Sequence, residues 1–540
     1  MKLKYKFKKN IDLGSLDAES DKLLISAFVE REDIEIVKNT DNLKSILLGR
    51  TGSGKTAIIK YLEKDCDNVV RIEPESLSLR HLSNSTIINY FKELDVKLDL
   101  FYKLLWKHVF IVELIKLHFK GDLDNSVRIL EWIKNQFKND KKKEAAINYL
   151  ETWEEKFWEN TEYQVREIES DLEKRFRNAV GISGKIQALT ALMTKTTDET
   201  EREVIRADVI TKAQKVINDS QIEEVNSIFK LIKNDLFKGN QKKYYLLIDD
   251  LDRDWVSNTI VYDLIKSLID SIKDFTSLPN TKIIIALRSN IKKKIFTKNY
   301  MRGVQREKYA NLYLDLSWSK EDLIELINNR LKVIMREEYT QASPKVDDIL
   351  PKRIKNYNSS IDFILEKTFM RPRDVIDFFN KCIKNADGKT KFSKSILNEA
   401  TEEYSHERLK ALNDEWLENY GQIYEVYSFL KHESDGFVLE DILDKAGNYI
   451  INLLTEEKMS RISGELHIIL KEFKDKMDID DTLKKLLIIF HEIGLIGVKI
   501  NSEKPVKYFY NTYETFDIND LIKETKFYVH PMFKAALKIT

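Results

Sequence analysis

Ser45-Ile46-Leu47-Leu48-Gly49-Arg50-Thr51-Gly52-Ser53-Gly54-Lys55-Thr56-Ala57-Ile58-Ile59-Lys60 is the stretch on which the fold turns. SILLG reads as a short buried strand and KTAIIKYLEK as the helix behind it. Between them, Gly49 to Thr56 fit the pattern GxxxxGK[ST] in the strand-to-helix context that gives the pattern its meaning. The chemistry is specific to those residue types. Glycines let the backbone wrap a phosphate with its N–H groups turned inward, and the helix N-terminus adds partial positive charge. Lys55 then reaches the β- and γ-phosphates of a nucleotide, and Thr56 ligates Mg²⁺. Gly49, Arg50, Thr51, Gly52, Ser53, Gly54, Lys55 and Thr56 are therefore the candidate nucleotide-binding residues. The chain has 16 glycines in 540 residues, and three of them fall in this loop, which argues against a turn that binds nothing. Lys55 is expected as an exposed charge whose removal leaves the fold intact.

Outward from the loop, NVVRIE reads as the next strand, closed by Pro74. Strand character returns at YYLLIDD, KIIIALR and NLYLDL with helical stretches between, which predicts an α/β core built on a parallel sheet. The second half of a nucleotide site needs a carboxylate at the end of a neighbouring buried strand. YYLLIDDLDRDW supplies it: Asp249 for Mg²⁺, directly or through water, and Asp250 as general base or water-positioning acid. Asp252, Arg253 and Asp254 extend the cluster, either as an ion pair that shapes the loop or in a functional role.

Composition bounds the remaining classes. Hydrophobic residues make up 42% and charged residues 33%, which predicts folded domains rather than disorder. Glycine and proline are scarce, with no proline between Pro74 and Pro279, so helix is expected to dominate. Lys+Arg and Asp+Glu balance at 89 each, so any nucleic-acid or membrane contact must be local. Two cysteines, Cys66 and Cys382, form no CxxC, and the eight histidines show no metal spacing, which points to a reducing cytoplasm and away from structural zinc. The basic N-terminus lacks an apolar segment and LKKLLIIFHEIGLIGV is broken by charge, so neither export nor a membrane span is expected.

The pattern divides the chain into an N-terminal segment (1–43), an α/β core (44–75 and 241–316), an α-helical insertion (76–240), a helical lid (317–410) and a C-terminal domain (411–540). In the insertion, Trp106, Trp132, Trp153 and Trp158 recur at helical spacing, which favours core packing over a platform for stacking bases. SKEDLIELINNRLKVIMREE opens the lid with a Ser N-cap signal. In the last domain, helices are followed by GLIGVKI and KPVKYFYNTY, which read as a β-hairpin around NSEKP and hence as a winged helix.

GRTGSGKT together with LLIDDLDRDW resembles the additional-strand P-loop ATPases, the group holding AAA+, STAND and KAP NTPases, and IDDLDR looks most like the KAP-related bacterial ATPases often encoded in phage-defence loci. The second acid is Asp250 where AAA+ members carry glutamate, which favours KAP or STAND kinship. The resemblance implies a sensor 1 group at Arg288 or Asn290, from IIIALRSN, and a sensor 2 arginine at Arg373, from MRPRDVIDFFN. For Arg371 and Arg373 the alternative is a helix-start ion pair with Asp374 or Asp377. Between sensor 1 and the last core strand lies a basic stretch containing Lys292, Lys293, Lys294, Lys298, Arg302, Arg306 and Lys308. In AAA+ proteins this position carries an arginine finger for the neighbouring subunit, which implies a homo-oligomer with Arg302 or Arg306 in that role. A DNA or RNA contact through Lys292 to Lys294 or the winged helix is one alternative, and a plain solvated surface is the other. The resulting expectation is a cytoplasmic Mg-ATP-dependent ATPase acting as a conformational switch, the regulatory component of an antiphage system with a separate effector protein. A ring-forming nucleic-acid motor and a nucleotide-gated scaffold without turnover are the rival expectations.

Overall fold

A computed structural model describes residues 5–76, 98–119, 141–153, 157, 163, 167, 170, 219–239, 241–251, 255, 260–297, 307–339, 343–354, 356–501, 503–512, 516–522 and 524–540. The chain forms two compact units: a sheet unit of Glu30–Arg50 and Lys55–Leu316, and a helical unit of Met1–Val29, Thr51–Gly54 and Ser317–Thr540.

The sheet unit is built on five parallel strands, β1 (Ile46–Gly49), β2 (Val69–Ile72), β3 (Tyr244–Ile248), β4 (Thr281–Arg288) and β5 (Tyr313–Asp315), in the order β2-β3-β4-β1-β5. All five strands coincide with the runs read as strands in the sequence. The central β1, β3 and β4 are almost wholly buried, which is why β1, β3 and the middle of β4 (Ile283 to Leu287) are apolar runs, whereas the edge strand β2 is only partly covered and can carry Arg71. The strand β4 lies between β1 and β3. In register, Gly49 stands beside Arg288 and Leu48 beside Asp315, while Ile248 pairs Ile285 and Ile72. The carboxyl ends of the strands therefore collect Gly49, Asp249, Asp250 and Arg288 along one edge of the sheet.

Helices cover this sheet. The helix Asp99–Phe119 is apolar on nearly every face because it is buried between β3 and the helix Val261–Phe275. Trp106 is buried there, its indole N–H donating to Leu264 O at 2.9 Å, and Trp153 packs against the same core. Trp106 is thus a core residue and Trp153 a partly buried one packed on that core; Trp132 and Trp158 lie outside the described residues.

In the helical unit, the helix Lys320–Glu338 starts at the expected cap: Ser319 Oγ accepts from Asp322 N at 3.0 Å and Asp322 Oδ2 accepts from Ser319 N at 3.1 Å. The helix Pro372–Asn385 has proline in its first turn, where the missing N–H costs nothing, and packs on the helix Lys394–Tyr420. The N-terminal chain is tied to these helices. Phe7 exchanges backbone bonds of 2.8 Å with Lys389 O and Gly388 N, and Leu13 N donates to Asn380 Oδ1 at 2.6 Å.

The C-terminal part holds helices Leu439–Leu453, Gly464–Lys476 and Ile479–Glu492 and an antiparallel sheet of β6 (Phe437–Val438), β7 (Ile496–Lys499) and β8 (Lys526–Val529), in the order β6-β8-β7. This corrects the expected hairpin. GLIGVKI supplies β7, but its partner is Lys526–Val529, and KPVKYFYNTY meets it only through a single bridge, Val498 to Lys507, before turning into the short helix Phe509–Thr512. The reason is aromatic packing: Tyr508 and Tyr510 gather around His530, with ring centroids at 4.8 and 5.3 Å, instead of extending along β7. Among the described residues no helix is long and apolar enough to cross a membrane.

Candidate functional site

In the sheet unit the loop's two ends are held locally. Lys55 opens the helix Lys55–Asp65, and its ammonium donates to Gly49 O at 2.9 Å and Arg50 O at 3.0 Å. Lys55 is buried, which corrects the expectation of an exposed charge; its bonds close the loop on itself. Thr56 follows in the first turn, half-buried.

Directly after β3, Asp249 is buried with Oδ1 accepting from Asp250 N at 2.9 Å, and its Oδ2 has no partner among the described residues. A buried carboxylate oxygen without a donor is costly unless something positive meets it. The donor chemistry of Asp249 with Thr56 therefore fits a divalent cation. Among the described residues no three His, Cys, Asp or Glu side chains converge on a metal position, so such a cation would complete its shell with phosphate and water oxygens.

Asp250 adopts a left-handed backbone (φ 59°), which turns the chain sharply off the strand end. Its Oδ2 lies 3.2 Å from Arg71 Nη2 on β2. Arg71 was missed in the sequence, although it is the one charge inside the strand run NVVRI. Arg288 ends β4 beside Gly49, and Asn290 sits in the first turn of the helix Ser289–Thr297; both are half-buried. Asp249, Asp250, Arg288 and Asn290 thus all stand at the carboxyl ends of β3 and β4, of which β4 adjoins the strand that leads into the loop.

In the helical unit, residues 51–54 are gripped from outside. Arg371 Nη1 donates to Thr51 O at 2.6 Å, Arg373 N to Gly52 O at 3.4 Å, and Trp318 Nε1 to Ser53 O at 2.9 Å. Gly52 has φ 80°, and a Cβ there would stand 2.7 Å from Arg373 Cβ; Gly54 has φ 98° with the Trp318 ring alongside. Only glycine meets both demands at 52.

Arg371 is buried and paired through Nε with Asp374 Oδ2 at 2.7 Å, with Arg408 Nε 3.5 Å from the same carboxylate. Burial works to raise the Asp374 carboxyl, yet Arg371 and Arg408 outweigh it and hold it at about 2. The helix-start ion pair weighed for Arg371 is present, and the same guanidinium also holds the loop. Arg373 differs: its Nε donates to Leu16 O at 3.0 Å, and burial, with Arg371 and Arg408 near, lowers its pKa. That is an electropositive position beside Gly52, suited to an anion. Trp318 and the loop-holding bond of Arg371 were not legible in the sequence, since no local pattern marks either.

In the basic stretch, Lys292 lies 4.1 Å from the Tyr313 ring centroid and Lys294 donates to Tyr262 Oη at 2.8 Å, so both are engaged inside the sheet unit. Arg302, Arg306, Lys298 and the cluster Asp252, Arg253 and Asp254 lie outside the described residues.

Residues 321–413 match the family model of a FunZ-associated C-terminal helical domain. The matched segment carries Arg371, Arg373, Asp374 and Arg408. Among curated proteins none matches the chain.

Proposed function

We propose that the chain is a P-loop ATPase of the additional-strand group that binds and hydrolyses Mg-ATP and works as a nucleotide-driven switch. The observation that carries the reading is the sheet order. The loop with the GxxxxGK[ST] pattern leaves β1, the acids Asp249 and Asp250 leave β3, and an extra strand, β4, separates the two. Ligands of open parallel sheets bind at the carboxyl edge, where these residues stand.

In this reading Gly49 to Thr56 bind the phosphates, and Thr56 with Asp249 hold Mg²⁺, which would neutralise developing charge on the phosphates. Lys55 would exchange its bonds to Gly49 O and Arg50 O for phosphate oxygens. Asp250 would orient the attacking water, with Arg288 or Asn290 beside it as the polar group near the γ-phosphate. Arg373, beside Gly52, would take the sensor 2 role. Nucleotide state would reach the helical unit through residues 51–54, which are continuous with the phosphate-binding ends of the loop yet belong to that unit.

The switch role in an antiphage system with a separate effector rests on the resemblance of IDDLDR and its surroundings. The order of helices and the β6-β8-β7 sheet support a winged-helix reading of the C-terminal part. Homo-oligomerisation with Arg302 or Arg306 as a finger makes turnover per subunit rise with protein concentration. The second reading is a scaffold that binds ATP without turnover, favoured by the Asp250–Arg71 pair, which occupies the acid. Phosphate release under single-turnover conditions, with Mg-ATP affinity measured in parallel, decides: binding with release supports the ATPase, binding alone the scaffold, and no binding removes both.

A further inference from the structure

Three consecutive carbonyls of the loop, those of Thr51, Gly52 and Ser53, each accept a hydrogen bond from the helical unit. A trans peptide is planar, with its C=O and N–H on opposite sides. Fixing these three oxygens therefore fixes the N–H groups of Gly52, Ser53 and Gly54 on the side facing away from Arg371, Arg373 and Trp318. Those N–H groups have no acceptor among the described residues, and neither does the buried Ser53 Oγ. Gly52 (φ 80°) and Gly54 (φ 98°) flank Ser53, the alternation that turns successive N–H groups into one concavity suited to an anion.

We propose that Trp318 and Arg371 are positioning residues that preorganise this concavity for the phosphates of a nucleotide, acting from the outer side of the loop without touching the ligand. The proposal rests on the nucleotide reading above and adds the residues that set its affinity. Preorganisation of this kind removes the ordering cost that a bare glycine loop would meet at the moment of binding. The roles of the two residues differ. Trp318 supplies one donor and a ring against Gly54, whereas Arg371 is itself locked by Asp374 and so ties the loop to the start of the helix Pro372–Asn385.

The test is Trp318→Phe, which keeps a ring against Gly54 and removes only the donor. Mg-ATP and Mg-ADP are titrated into wild type, Trp318→Phe and Lys55→Ala, with KM, kcat and ligand-free unfolding followed alongside. One lost bond to a carbonyl predicts a Kd about three- to tenfold higher for both nucleotides. KM should rise by more than kcat falls. A merely structural role would instead lower kcat through the folded fraction and leave Kd alone. Should Trp318→Phe not fold, Arg371→Lys carries the same measurement, because one ammonium cannot serve both Asp374 and Thr51 O with the reach of a guanidinium. A folded variant with wild-type Kd overturns the proposal, as does a fall in kcat at constant Kd. Failure of the nucleotide reading looks different: wild type binds neither nucleotide, or Lys55→Ala binds like wild type, and the proposal falls with it.

Discussion

The ends of the loop at 49–56 and its middle are fixed by opposite means. Lys55 closes the ends onto Gly49 and Arg50, six and five residues away, whereas the middle is held by Trp318 and Arg371, 265 and 320 residues away. A local bond survives in almost any context that forms the strand and the helix. A long-range bond exists only when a separate unit has folded, so the middle of the loop can report on that unit and the ends cannot. The comparison makes the ends the part shaped by the loop's own strand and helix, and the middle the part whose shape depends on the helical unit.

The largest expected effect attacks the middle from behind. Asp374→Asn leaves Arg371 and Arg408 buried without their carboxylate and should cost about 3–5 kcal/mol of stability. The pH dependence has a definite sign. The folded carboxyl titrates at about 2, below its ordinary 3.8, so its contribution is fully present above about pH 4 and is lost as pH falls towards 2. Denaturant unfolding of wild type and variant should show the gap narrowing as pH falls through that window; a gap that does not narrow there would mean that Asp374 is not the anchor of Arg371.

Lys55→Ala attacks the ends. Two charge-assisted bonds of about 1.5–3 kcal/mol each predict at least about a hundredfold loss of Mg-ATP affinity. The buried ammonium also holds two carbonyls, so a lower unfolding temperature should accompany the loss. Wild-type affinity in that variant would remove Lys55 from the proposed phosphate contacts. Asp250→Asn should leave Mg-ATP affinity near wild type and lower kcat about a hundredfold, while Asp249→Asn loses the Mg²⁺ dependence of binding. Identical binding losses in the two variants would erase the division between metal acid and water acid.

What was legible in the sequence follows the same division. The core strands could be read because each is mostly apolar and the buried central ones hold apolar runs, and the loop because its residue types are set by local backbone demands. The cap at Ser319 was legible for that reason too. The alternating residues of KPVKYFYNTY misled because period two records only which side chains share a face; Tyr508 and Tyr510 use that face to pack on His530. Trp318 left no local trace, since one tryptophan after a strand is compatible with any core. Arg71 did leave one, a guanidinium in an otherwise apolar run, and it becomes intelligible once β2 is seen to be an edge strand.

The smallest expected effect concerns that residue. Arg71 reaches Asp250 across 179 residues, which makes the pair as long-range as the grip on the middle of the loop. Its side chains are 17% and 21% exposed, however, so water screens the charges that in the Arg371–Asp374 pair are shut in. Arg71→Gln should therefore cost less than about 1 kcal/mol in denaturant unfolding. If that holds, sequence distance alone does not set the strength of a contact, and burial of the charges does. If Arg71→Gln costs as much as Asp374→Asn, burial is not what separates the two pairs, and the acid at the end of β3 is held as firmly as the middle of the loop.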